Sequence, residues 1–327
     1  MVAAMVSMWA LQGVEGTRGL QDEADDAIAI HDTAQTLMYI AATRDFTYAG
    51  LPTAPIDRAE YAKRTLQEFG ALNHDPVGGE MALDDQPYRG LGESGFSIQD
   101  EAGLLGVNWA DPRAAGRLLG IAPEVAGQAP ALRDALLDYI DEDDTPLPSG
   151  GERSAYVALG RTGPANHRMM SPRELHSVLG WDRLPTAQYR HLQQYFTPYY
   201  GGAVNLNTAP SAVLATWLPG CPTTCEQVLQ IRARTPIKTM DDLQRRLGTD
   251  QQLMEFGDYR TMPSDVLRIT LWGRNGRGVR MHVRLTPGED KGAPWAILSS
   301  YPIVSAPVHA AQRTGSPLLA APSPGHG

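Results

Sequence analysis

The amino-acid sequence predicts an α+β fold: a long N-terminal helix, a few strands, an inserted helical block and closing strands. Three observations predict it. Proline is frequent, 25 in 327 residues, yet none precedes Pro52, and Ala24, Ala27, Ile30, Ala34, Leu37, Met38 and Ala41 recur at helical spacings of three and four. From Glu101 to about Leu253 the periodicity is helical and broken by Pro and Gly. Near the end the period changes to two. Leu267, Ile269 and Leu271 alternate with Arg268 and Thr270, and Val279, Met281, Val283 and Leu285 with Arg280, His282 and Arg284.

Taken in order, Met1 to Gln12 is nearly all apolar but rises only roughly 16 Å as a helix, short of about 30 Å of hydrocarbon. No basic segment precedes it and no small-residue cleavage site follows, so a secretory signal is not expected. It reads as a buried helical end or as the end of a longer hydrophobic helix. The amphipathic stretch that follows, with Asp22, Glu23, Asp25, Asp26, His31 and Asp32 opposite the apolar stripe, favours an anchor leading into a soluble body. Phe46 to Asp100 is turn-rich with few helical windows, and Phe96–Gln99 can form a short strand. Helices are expected over Asp111–Leu119, Ala131–Ile140, Ser171–Leu179, Thr186–Tyr195, Ala209–Trp217, Cys225–Arg234 and Thr239–Leu247, with Asp111, Ser171 and Thr239 as caps. Asn108, Asn205, Asn207 and Thr208 precede helix starts and read as capping devices too. Asn275-Gly276 between the alternating runs predicts a β-hairpin, Trp295–Val304 a third strand, and the Pro/Ala/Gly/Ser-rich segment from Ala306 a disordered tail. The expected division is 1–45 helix, 46–105 first part of the sheet domain, 106–255 inserted helices, 256–305 closing strands and 306–327 tail.

Composition narrows function. A net charge of −9 and a pI near 5.4 oppose nonspecific nucleic-acid binding, which neutralises phosphates with Lys and Arg. The familiar catalytic constellations are missing: the eight histidines form no HExxH, no Ser lies in GxSxG, and the three lysines, Lys63, Lys238 and Lys291, make no P-loop. Gly90-Leu91-Gly92-Glu93-Ser94-Gly95 matches GxGxxG, but DDQPYR precedes it instead of an apolar strand, so it reads as a loop. The chain is expected not to be an enzyme. Cys221 and Cys225 can form a disulfide in an oxidising compartment or remain two small buried thiols. Leu218 to Leu243 resembles a helix-hairpin-helix unit. Pro222 stands where a DNA-gripping hairpin needs a second glycine and its N–H, so packing is the expected role. Arg232, Arg234, Lys238, Arg245 and Arg246 keep a DNA-binding alternative open.

The densest cluster of chemistry is Asp138 to Glu152. Carboxylates packed this closely suit a hard cation such as calcium, and Asp141, Asp143, Thr145 and Glu152 fall at positions 1, 3, 5 and 12 of an EF-hand register. Pro146 occupies the position that motif reserves for Gly, so a true EF-hand is not expected. Another acidic calcium loop and a solvated acidic turn stay open as alternatives.

Five segments in order carry a family resemblance. They are Asp100-Glu101-Ala102-Gly103 leading to Val107-Asn108; Leu136-Leu137-Asp138-Tyr139-Ile140-Asp141-Glu142-Asp143; Gly150-Gly151-Glu152 with Tyr156; Asn166 followed by Ser171-Pro172-Arg173-Glu174-Leu175; and Val204-Asn205-Leu206-Asn207-Thr208-Ala209-Pro210. Together they resemble minor pseudopilin K of type II secretion systems, over roughly residues 20 to 305. The resemblance implies a pilin-like fold, a long helix packed on a small antiparallel sheet with a large helical insertion. It implies calcium in that insertion, with Asp138, Asp141, Asp143, Asp144 and Glu152 as candidate ligands. It also implies a place at the tip of a periplasmic pseudopilus with minor pseudopilins I and J, in export across the outer membrane of a Gram-negative bacterium, after anchoring in the inner membrane. No nucleic acid is implied. The helix stripe Ala27, Ile30, Ala34, Leu37, Met38 and Ala41 is the expected partner interface. The basic leader, its peptidase site and most of the hydrophobic helix are missing from the sequence, so the expectation is a longer N-terminal helix than the one written here.

Overall fold

The structure is a computed structural model that describes residues 2–67, 73–108, 112–250, 252–255, 257–287, 292–304 and 316–319; within 2–18 it describes the backbone alone. Helix α1 spans Val2–Thr43, about 63 Å of rise, and closes where the Thr43 hydroxyl donates to the Tyr39 carbonyl at 2.7 Å. A second helix, α2, Arg58–Gln67, lies in the stretch expected to hold few helical windows. The Asp57 carboxylate caps it by accepting from the Ala59 and Glu60 N–H groups, an N-cap signal that the surrounding turn-rich composition hid.

Strands β1 (Asp84–Arg89) and β2 (Gly95–Asp100) precede the inserted block. Strands β3 (Val266–Trp272), β4 (Gly278–Leu285) and β5 (Trp295–Ile303) follow it. They form one antiparallel sheet in the order β5-β4-β3-β2-β1. The predicted hairpin registers Gly278 opposite Trp272. β1 lies on DDQPYR, which lacks alternation; it is an edge strand, and Pro87, which has no N–H to donate, is tolerated there.

The two faces of the sheet differ in chemistry. Phe96, Ile98, Leu267, Ile269, Leu271, Met281 and Val283 share one core with Ala34, Leu37, Met38, Ile40 and Ala41 of α1. The residues between them in register, Ser97, Gln99, Arg268, Thr270 and His282, are buried on the opposite face, where Gln99 and Arg268 bond to the insertion. Leu37 is 0% exposed. The helix stripe therefore faces the chain's own sheet. This corrects the expectation that Ala27, Ile30, Ala34, Leu37, Met38 and Ala41 form a partner interface: Ala34, Leu37, Met38 and Ala41 are buried internally, Ile30 packs at the edge of the same core, and Ala27 alone is exposed.

Both hairpin tips dock on α1. The Gly90–Gly95 loop is the β1–β2 turn, in which the Thr33 hydroxyl meets Ser94 Oγ at 2.7 Å and accepts from the Leu91 N–H at 2.9 Å. A Cβ at Gly90 would collide with Thr33 and Ser94, and one at Gly95 with the Trp272 ring, so both glycines serve close approach. At the β3–β4 tip the Arg274 N–H donates to Asp26, and its guanidinium reaches Asp22 and Asp26 at 3.1 Å.

The insertion has its own core, separate from that of the sheet and centred on Trp181, Leu118, Leu136, Tyr156, Leu175, Phe196 and Leu214. Its helices are α3 (Pro112–Gly120), α4 (Ala129–Ile140), α5 (Arg153–Ala158), α6 (Thr186–Leu192), α7 (Ser211–Leu214), α8 (Thr223–Arg234) and α9 (Met240–Leu247). Ser171 and Thr239 cap as expected, accepting from the Arg173 and Asp242 N–H groups; Asp111 lies outside the described residues. Ser171–Leu179 forms a 3-10 turn at Pro172–Ser177 instead of an α-helix, and Ala209–Trp217 shortens to one turn. Two of the asparagines expected as caps instead tie distant backbone together, while Asn205 accepts locally from the Asn207 N–H. Asn108 donates to the Met169 and Pro198 carbonyls, and Asn207 to those of Ile237 and Thr261. The expected disordered tail lies outside the described residues, apart from a short turn at Pro317–Leu319 whose Leu318 packs on the sheet core.

Candidate functional site

The acidic segment after α4 folds back on the helix that precedes it. Asp138, on the last turn of α4, is fully buried and accepts from the Leu147 N–H through both oxygens at 3.2 Å. Asp134, one turn earlier, accepts from the Ser149 N–H at 3.1 Å and pairs with Arg133. Gly150 then passes so close to Asp138 that a Cβ would strike the carboxylate. That approach brings Glu152, the residue before α5, against the end of α4.

One carboxylate oxygen from each of Asp138, Asp141 and Glu152 lies within 4.8 Å of the others. Glu152 is 4% exposed, and neither of its oxygens has a hydrogen-bond partner; Asp141 Oδ1 is likewise buried and unpartnered. Burial, then the charges of Asp138, Asp141, Asp144 and Asp143, pushes the Glu152 carboxyl up to about 7. Burial and neighbouring carboxylates also raise Asp138 and Asp141. Three carboxylates facing one another, with acceptor atoms that nothing satisfies, fit a hard, oxygen-seeking cation.

Two of the five predicted ligands are not in this group. Asp143 Oδ1 accepts from the Thr145 N–H at 2.7 Å, and Asp144 Oδ1 accepts from the Asn166 amide at 3.1 Å. The chain turns at Asp143–Thr145, and the close approach of Gly150 brings in Glu152. Sequence reasoning assigned no site role to Asn166, which holds φ at 47° and donates also to the Asp143 carbonyl. Its signal was present: Asn is a residue type that tolerates the left-handed region.

Cys221 and Cys225 are bonded to each other at the start of α8. The cations of the helix-hairpin-helix-like unit are mostly engaged. Arg232 pairs with Asp84 and donates to the Leu206 and Ala209 carbonyls, Lys238 pairs with Asp75, and Arg245 and Arg246 pair with Asp242. Arg234 lines a surface groove of about 430 Å³ with Gln227, Gln230, Ile231 and Leu247, none of which belongs to the carboxylate group.

The described structure resembles a chain of the GspK–GspI–GspJ complex from the enterotoxigenic Escherichia coli type 2 secretion system. The TM-score is 0.50 at 16% identity, over 91% of this chain and all of that one. That likeness establishes the fold: helix and antiparallel sheet with an inserted helical domain. The segment carrying the carboxylates decides more, because residues 102–198 match the family model described as type II secretion system (T2SS), protein K. That match covers about 30% of the chain. A curated relative, type II secretion system protein K of Dickeya chrysanthemi, is 38% identical over 94 residues. That match spans 28% of this chain and 25% of the relative's length. Asp138, Asp141, Glu152 and Asn166 all fall inside the protein K segment. Among the described residues no helix is long and apolar enough to cross a membrane.

Proposed function

We propose that this chain is a minor pseudopilin of a type II secretion system, acting by assembly and not by catalysis. The observation that carries the reading is the protein K segment seated as an insertion in a helix-and-sheet fold like that of the GspK–GspI–GspJ complex. By that likeness its partners are pseudopilins of the I and J type, at the tip of a periplasmic pseudopilus anchored in the inner membrane. The partner surface is the outward side of α1. Leu20, Ile28 and Tyr39 are exposed there, at 69%, 60% and 58%, and fall within an arc of about 100°. Co-expression with I and J ectodomains tests the function: a stable ternary complex on size exclusion supports it, and failure to bind either partner overturns it. The double variant Ile28→Asp, Tyr39→Ala should fold normally and weaken binding at least about tenfold; unchanged affinity would remove this face from the interface.

Calcium belongs to the same proposal. Asp138, Asp141 and Glu152 would hold it, and it would neutralise carboxylates that burial leaves unsatisfied. Its role is structural: it fixes the chain between α4 and α5. EDTA should lower the melting temperature and added calcium restore it, by about 2.7 kcal/mol of stability at a hundredfold excess over Kd. A Glu152→Gln, Asp141→Asn variant that keeps the full calcium response would reject this ligand set.

A further inference from the structure

The sheet is bonded to α1 by an apolar core and to the insertion by a polar seam. On the insertion side, Arg268 donates to the Gln194 carbonyl at 2.9 Å and pairs with Asp85 at 3.1 Å, and the Gln99 amide donates to the Thr208 carbonyl at 3.1 Å. At the centre of the seam, His282 Nδ1 lies 2.5 Å from Glu101 Oε1; His282 is 1% exposed and Glu101 0%. His282 Nε2 meets the Tyr301 hydroxyl at 3.2 Å, and its ring lies 4.9 Å from that of Tyr199, which the insertion contributes. Arg173 of the insertion reaches over the Tyr301 ring. Glu101 Oε2 and Arg268 Nε are buried without partners.

Apolar surfaces that interdigitate hold two bodies together through many small contacts, and partial separation forfeits them all. A polar seam behaves differently, because water can replace its hydrogen bonds at low net cost. The two apolar cores share no member, so parting the seam leaves each intact. Water admitted to the seam would also satisfy the orphaned Glu101 and Arg268 atoms. We infer that the insertion is a separately cored body able to part from the sheet while both remain folded, with the contacts of Tyr199 on His282 and of Arg173 on Tyr301 as the latch that holds the seam shut.

Thiol labelling tests this. The native cysteines are bonded to each other, so a single introduced thiol reports alone. The Thr270→Cys variant places it on the seam face of the sheet, two residues from Arg268; the Val283→Cys variant places it in the apolar core on the other face, and both changes are small. The Thr270→Cys thiol should react at least about tenfold faster, with little urea dependence, while the Val283→Cys thiol reacts only through global unfolding. Adding His282→Gln should speed the first several-fold and leave the second unchanged. Equal rates with the same urea slope would overturn the separable body. A fast Thr270→Cys thiol indifferent to His282→Gln would overturn the latch. Should the Thr270→Cys chain fail to fold, the Ser97→Cys variant probes the same face.

Discussion

Glu152 and Asp100 are both buried carboxylates, and their surroundings give them opposite roles. Asp100 accepts five hydrogen bonds: from the Ala102 N–H, the Ser264 N–H and hydroxyl, the Asn205 amide and the Thr208 hydroxyl, at 2.6 to 3.1 Å. Its charge is fully answered within the chain. Asp100→Ala should cost at least about 3 kcal/mol by urea denaturation, because it strands buried donors. Glu152 has no such answer, and its carboxyl rises to about 7. A raised carboxyl means that the folded state binds the proton more tightly than the unfolded one. Without metal, the Glu152 contribution is therefore fully present below about pH 4.5 and is lost as pH rises towards 7. Thermal melts in EDTA across that window should show the fall, and Glu152→Gln should flatten it; a slope unchanged by Glu152→Gln would assign it to other groups.

At the scale of elements, the long helix is positioned by two hairpin tips as well as by its buried stripe. The Arg274 ion pairs are exposed, so Arg274→Ala should cost no more than about 1 kcal/mol. Gly273→Ala should cost more, since a Cβ there runs into the Asp26 carboxylate and lifts the tip off α1. Hydrogen exchange at residues 273–278 should rise in both variants, and more in Gly273→Ala. Elements with a strong period were legible in the sequence: the helix stripe, the hairpin at Asn275-Gly276, and α8 and α9. β1 was not, because an edge strand in contact with the insertion through Asp84 needs no alternation. The buried stripe of α1 was misread for a related reason. Periodicity marks which side of a helix is buried, and says nothing about whether the chain itself or a neighbour buries it.

Over the whole molecule, the carboxylate group could be named from local density, but its membership could not. Asp138, Asp141 and Glu152 meet because Gly150 allows a backbone approach, a tertiary event with no signature in residue spacing. Two cores joined by a polar seam also make a calorimetric prediction. Calcium should raise the melting temperature of the insertion and leave that of the helix–sheet unit nearly unchanged, resolving two transitions where EDTA merges or inverts them. A single transition that shifts as a whole would show that the cores melt together. One consequence reaches beyond stability. The Ala102 and Ser264 N–H groups donate to the same Asp100 oxygen, at 3.1 and 3.0 Å, so the chain departs for its excursion of some 160 residues and returns within the span of one atom's neighbours. A short turn joining Gly103 to Ser264 could bridge that gap, and the trimmed chain should still fold into rod and sheet. In this architecture the head is a detachable cassette, free to be exchanged or enlarged without redrawing the stem that carries it.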